Sequence, residues 1–159
     1  IVIFKNPAGK TTMLLSHPNL KEIEFGDKLD TSLYQSFSEM FGECKNLEQV
    51  NLSSFNTSNA VSMNAMFRNC EKLTEIDVSG FNTSKVQDLS YMFYNCCELS
   101  SVELLGFDVS NVKTMDSMFA DCKKLQSAEF GRYMFSSIED ISNMFLDCHI
   151  KDEYKPKFK

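Results

Sequence analysis

Apolar residues recur along this chain in two rhythms that take turns. In the first, apolar and polar residues alternate over a short stretch: Ile23 and Phe25, Val50 and Leu52, Ile76 and Val78, Val102 and Leu104, Ala128 and Phe130. Period two is the signature of a strand with one buried face, and the stretches are brief, so the strands are short. In the second, Ala60, Met63, Met66, Phe67 and Cys70, and again Val86, Leu89, Met92, Phe93 and Cys96, fall at i, i+3, i+6, i+7 and i+10. That spacing predicts one face of a helix of about three turns. Ser32, Ser58, Ser84, Ser110 and Ser136 stand at its predicted start, and Gln35, Gln87 and Glu139 follow three places after three of them. Each such pair reads as a capping box, whose side chains satisfy backbone N–H groups left over at the helix end. A cap of this kind contributes about 1 kcal/mol. Between strand and helix lie turn-forming pairs, Ser53-Ser54, Ser79-Gly80, Leu105-Gly106 and Gly131-Arg132, followed by Phe55, Phe81, Phe107 or Tyr133 directed back to the core.

Five Met-Phe pairs fix the register. Phe41, Phe67, Phe93, Phe119 and Phe145 fall every twenty-six residues, each preceded by Met and followed three places on by Cys44, Cys70, Cys96, Cys122 or Cys148. A period of this length marks a stack of units, none of which can bury its apolar face alone. The first unit carries one extra residue between Phe25 and Leu29. A strand, a turn and a helix repeated in series stack with their strands parallel and their connections right-handed. Packed helices need about 10 Å of lateral room and paired strands about 4.8 Å, so the strand side should be concave. The expected fold is an α/β solenoid, a right-handed superhelix with a short parallel strand and a helix in each repeat. Residues 1–19 are expected to form an N-terminal cap or the remnant of a preceding segment, residues 20–150 the five-coil domain, and residues 151–159 a C-terminal tail or linker.

The consensus Phe-x-x-Cys-x-x-Leu-x-x-apolar-x-apolar is fullest in MFRNCEKLTEIDVSGFNTSKVQDLSYMF, from Met66 to Phe93, and it resembles the BspA-like branch of the leucine-rich repeats in its longer form. The resemblance covers about residues 20–150, although Lys151 stands in the Leu position of the fifth unit and residues 1–19 match nothing in the repeat. It implies a leucine-rich-repeat-like superhelix without catalytic activity. It further implies a bacterial surface antigen, lipoprotein or wall-linked protein that acts in adhesion and recognition.

Composition narrows the partners. Apolar residues make up 43% and charged residues 24% of the 159, enough for a sizeable core. The formal net charge of -6, with basic residues scattered, argues against nucleic acid, whose phosphates call for a basic stripe, and favours a cationic or neutral partner. Apolar runs such as Ile1 to Phe4 are too short for a transmembrane segment. The chain opens on Ile1 with no leader-like segment, which suggests that whatever came first has been removed; surface localisation is expected from the resemblance alone.

Five of the six cysteines fall on the predicted inward face, one coil apart. With helices about 10 Å apart they would lie beyond the roughly 7 Å Cα limit for a bridge, so they are expected as small buried thiols. Cys97 is outside the register and is expected as an exposed or half-buried thiol. Zinc would need paired ligands, whereas the only adjacent pair is Cys96-Cys97, and His17 and His149 are isolated. Gly9-Lys10-Thr11 resembles the end of a phosphate-binding loop, yet Phe4 stands in the first glycine position and Pro18 interrupts the following helix. A turn at Asn6-Pro7-Ala8-Gly9 is expected instead. Asn51, Asn56 and Asn82 head glycosylation sequons, two of them by-products of the repeated turn. No nucleophile elbow, acid pair with a His partner or nucleotide fingerprint is present, so neither catalysis nor a cofactor is expected.

The outward side of the strands carries the candidate chemistry. Glu24, Asn51, Asp77, Glu103 and Glu129 should stack in one column, with Glu22, Gln49, Glu75, Ser101 and Ser127 in a second beside it. Like charges about 4.8 Å apart repel, so such columns cost stability. These ten residues are the candidate partner-binding set, a strip suited to a basic protein segment, with Ca²⁺ as a lesser alternative and a merely solvated face as the bland one. The expected function is a recognition or adhesion module presenting a concave strand face to a protein or glycan, where many weak contacts add up on a preorganised surface. The alternative is a structural spacer or assembly element within a larger surface protein.

Overall fold

The computed structural model describes residues 17–23, 25, 29–131 and 135–155. Most of the expected N-terminal cap, the Asn6–Gly9 turn, Gly9-Lys10-Thr11, Glu24, Tyr133 and the end of the tail lie outside the described residues. Strand β1 (Glu22–Ile23) pairs in parallel with β2 (Gln49–Val50), and β3 (Ser101–Leu104) with β4 (Ser127–Phe130). Each strand meets the equivalent residues of the next coil: Glu22 opposite Gln49, Val102 opposite Ala128, Glu103 opposite Glu129. The inward members Ile23, Val102, Leu104 and Ala128 are buried.

The sheet divides at the third coil, where residues 75–78 form no strand. The outward residue of each strand accounts for this. Asn51 accepts the Ser53 N–H through Oδ1 at 3.0 Å, and Asp77 accepts the Ser79 N–H at 2.9 Å. A short Asn or Asp side chain that bonds its own backbone two residues on bends the chain and competes with the ladder. Glu103 and Glu129 occupy the same position one methylene longer, and there β3 and β4 run for four residues.

Among the described residues there is no α-helix, and the α/β solenoid with a helix per repeat is overturned. The segments read as helices are runs of three-residue turns. In the first coil the N–H groups of Met40, Gly42, Cys44 and Leu47 donate to the carbonyls of Phe37, Glu39, Phe41 and Cys44 at 2.9 to 3.2 Å. The N–H groups between them face the next coil: Phe37 to Ser62, Glu39 to Asn64, Phe41 to Met66 and Glu43 to Arg68, at 2.8 to 2.9 Å. Helices bond only within themselves and stand about 10 Å apart, so a helix side can match a strand side spaced at about 4.8 Å only through curvature. Turns turn half of their donors sideways and close that gap. The run needs left-handed residues at two places per coil, and Asn69, Asn95, Asp121 and Asp147 fill the second with φ of 61°, 56°, 61° and 53°. Asn and Asp tolerate that conformation better than other side chains.

The predicted caps go with the helices. Ser58 and Ser84 donate their N–H groups to Oδ1 of Asn56 and Asn82, both at 3.0 Å, and Gln35, Gln87 and Glu139 are exposed. The adjoining Thr does the binding work. Buried Thr57 donates its hydroxyl to the Asn82 carbonyl at 3.1 Å and accepts the Asn82 N–H at 2.7 Å, and Thr31 treats Asn56 alike. One hydroxyl thus stands in for a ladder peptide between coils. The fourth coil has Val109 at this position, and there the Ser137 hydroxyl reaches the carbonyls of Val109 and Val112 instead.

The core runs along the stack axis. The rings of Phe41, Phe67, Phe93, Phe119 and Phe145 stack face to face with centroids 5.1, 5.6, 5.4 and 5.6 Å apart. That spacing is close to the strand spacing, so the cause expected to make the strand side concave is gone. The first four coils still bury the same residues that a helix would have buried: Met66, Phe67 and Cys70, like Met92, Phe93 and Cys96, are wholly inaccessible.

Candidate functional site

Nine of the ten predicted face residues fall within the described residues, and the side chains of Glu22, Gln49, Asn51, Glu75, Asp77, Ser101, Glu103 and Glu129 are exposed, with Ser127 half-buried. Glu24 lies outside the described residues. Five of the nine converge. Glu22, Gln49, Asn51, Glu75 and Asp77 line a half-open groove of about 750 Å³ over the first three coils, floored by Ile23, Val50, Ile76 and Phe81. It lies where the Asn51 and Asp77 turns draw the backbone out of the sheet. Ser101, Glu103, Ser127 and Glu129 belong to the β3–β4 pair and do not line this groove.

The electrostatics of this face are one-sided. Lysines elsewhere pair across neighbouring coils, Lys45 with Glu71 at 3.5 Å, Lys124 with Glu98 at 2.6 Å and Lys113 with Glu139 at 3.4 Å. Among the described residues no Lys or Arg lines the groove or pairs with Glu22, Glu75, Asp77, Glu103 or Glu129. Glu22 accepts a hydrogen bond from the Gln49 amide at 3.0 Å. Asp77 accepts from both the hydroxyl and the N–H of Ser79, which hold its carboxyl below the usual range and keep it charged. The groove is therefore an anionic trough with an apolar floor, able to take a cationic, partly apolar segment. Among the described residues no three His, Cys, Asp or Glu side chains come together to hold a metal ion, so the Ca²⁺ alternative finds no support here.

Reading the sequence placed Val50 and Ile76 in the core and missed them as groove floor. The difference between Asn51 or Asp77 and Glu103 or Glu129 was the available signal, because only the shorter side chains make the strand-ending turn.

The cysteines make no second site. Cys44, Cys70, Cys96 and Cys122 are buried, Cys97 and Cys148 half-buried, and no disulfide links any of them. Coils stand near 5 Å rather than 10 Å apart, so distance between coils is not what keeps the thiols unbridged. What occupies the thiols is the backbone: Cys70, Cys96 and Cys122 donate to the carbonyls of Phe41, Phe67 and Phe93 at 3.2, 3.2 and 3.0 Å. Burial pushes all three up, and Cys97, bonded to Asn95 Oδ1 at 2.9 Å, is raised by burial as well. None is an activated thiolate.

With this repeat geometry in view, two overlapping segments, residues 12–103 and 77–154, match the family described as Mycoplasma protein of unknown function, DUF285. The chain belongs to this family. The two matches meet within the repeat array, as expected of a family built from iterated units. No curated protein matches the chain, and no solved structure does. No helix among the described residues is long and apolar enough to cross a membrane.

Proposed function

We propose that this protein is a non-catalytic recognition module of a bacterial cell surface, akin to the BspA-like repeats, which binds an extended basic segment of a protein partner across the strand face of its first three coils. The carrying observation is the groove lined by Glu22, Glu75 and Asp77, with no Lys or Arg among its described lining residues. Carboxylates left unbalanced at a fixed spacing are costly to the fold and complementary to a cationic chain. The half-buried Val50 and Ile76 of the floor accept the side chains that alternate with the charges of an extended segment. A glycan is served less well, because the one aromatic among the described lining residues, Phe81, is buried.

The test is titration of a labelled peptide of alternating lysine and leucine against the whole chain at low and high salt. Glu22→Gln, Glu75→Gln and Asp77→Asn together should weaken binding about tenfold or more, while Glu103→Gln with Glu129→Gln should leave it nearly unchanged. Undiminished binding by the triple variant, or affinity indifferent to salt, would refute the reading. A spacer, by contrast, would tolerate all five changes and respond only to deletion of a coil.

A further inference from the structure

The third coil departs from its neighbours on the turn side. Tyr91 stands where the other coils carry Glu39, Ala65, Ser117 and Asn143, and Tyr94 where they carry Gly42, Arg68, Ala120 and Leu146. The first of these positions is left-handed in every coil, with φ between 53° and 59°, a conformation that suits Asn and is among the least favourable for a bulky side chain. The repeat needs no aromatic there, since Glu, Ala, Ser and Asn all serve. Tyr91 is nonetheless 37% exposed, and its ring meets that of the half-buried Tyr94 edge-on, with centroids 5.7 Å apart at 61°. Both hydroxyls reach to the fourth coil: Tyr91 donates to Asp116, which also accepts from the Ser117 hydroxyl at 3.0 Å, and Tyr94 donates to Asp121. Arg68 closes the other flank beside Tyr94, with Nη2 3.3 Å from Glu43 and a buried Nε that meets no acceptor among the described residues. Two rings thus lie between a carboxylate rim and a guanidinium.

We propose that the Tyr91–Tyr94 pair is a second binding site, on the turn side and apart from the strand-face groove, for a neutral hexose ring. A pyranose presents one face of C–H groups, which packs on an aromatic ring, and a girdle of hydroxyls that call for both acceptors and donors. Tyr91 offers the ring. Asp116 and Asp121 keep lone pairs for sugar hydroxyls after accepting from the tyrosines, and the terminal N–H groups of Arg68 donate from the other side. A protein partner would take about 800 Å² from this side around an apolar centre, whereas the two rings give way within one coil to Asn64, Asn95, Asp116 and Asp121, all polar and half-buried. An acidic sugar would be repelled by the two carboxylates. A quaternary ammonium group would need an open aromatic cage, which the edge-on contact of the rings closes. A strained, exposed aromatic that the fold does not require is accounted for by a ring kept free for a ligand.

NMR titration of the whole chain, its tyrosine rings isotope-labelled, with the methyl glycosides of glucose, galactose and mannose tests it. At least one of them should move the Tyr91 and Tyr94 ring signals at millimolar concentration, while those of Tyr34, which is 2% exposed, stay fixed. Tyr91→Ala gives the third coil the residue that the second already has, and should weaken binding about tenfold or more. If that variant does not fold, Tyr94→Ala, which matches Ala120 in the fourth coil, takes its place with the same expectation. Glu22→Gln, Glu75→Gln and Asp77→Asn together should leave the sugar response unchanged, so this site and the groove stand or fall separately. No movement of either ring with any of the glycosides would overturn the proposal, as would equal movement with tetramethylammonium chloride or a sugar response that persists undiminished in the alanine variant.

Discussion

The two long sides of the stack are coupled differently. On the strand side the ladder is interrupted at the third coil, leaving two separate pairs. On the turn side the bridges from Ser36 to Ser62, Asp88, Thr114 and Asp140 pass through all five coils, and five phenylalanine rings stack beneath them. The side with the less regular backbone is thus the continuous one. Continuity there releases the strand side from holding the coils together, and its outward residues are free to carry charge that would otherwise weaken the molecule.

The sharpest way to break this comparison is to damage each side in turn. Phe93→Ala removes a ring stacked on both faces and should cost about 3–5 kcal/mol in urea unfolding, against about 2 kcal/mol or less for Val102→Ala on the strands. Equal losses would mean that the two sides share the load. Next in size is Thr57→Val, which keeps shape and removes the hydroxyl serving both the N–H and the carbonyl of Asn82. It should cost about 1–3 kcal/mol and accelerate exchange of the Asn82 amide, whereas Thr57→Ser should recover most of the loss.

The smallest effects lie on the strand face. Glu103→Gln with Glu129→Gln relieves like charges placed opposite one another and should raise stability by about 0.2–1 kcal/mol, a gain that fades in salt. Asp77→Asn should alter only the acid limb. The Asp77 carboxyl is held below its ordinary value by Ser79, so its stabilising contribution is present above the unfolded-state pKa and is lost as pH falls through the folded one. The variant should lack that part of the decline, and an unchanged acid limb would remove Asp77 from the account.

Much of this was legible in the residues. The Met-Phe-x-x-Cys register, the parallel pairing of equivalent strands and the inward set of Phe, Met and Cys all follow from spacing. The helix did not survive, because i, i+3, i+6, i+7 and i+10 records which side chains are buried and not how the backbone bonds. Three-residue turns bury Ala60, Met63, Met66, Phe67 and Cys70 just as a helix would. The distinguishing clue was the Asn or Asp that stands before Cys70, Cys96, Cys122 and Cys148, a residue suited to positive φ. On the face, the columns were readable from alternation alone. The groove was not, since its depth depends on how far the Asn51 and Asp77 turns carry the main chain out of line.

A coil only one strand-width thick has an evolutionary corollary. Gain or loss of a complete repeat through recombination would change the molecule's length by about 5 Å and re-form the same junction between whichever neighbours result. Such a gene can be lengthened or shortened in small, interchangeable increments, a fine ruler where a stack of helices would offer a coarse one.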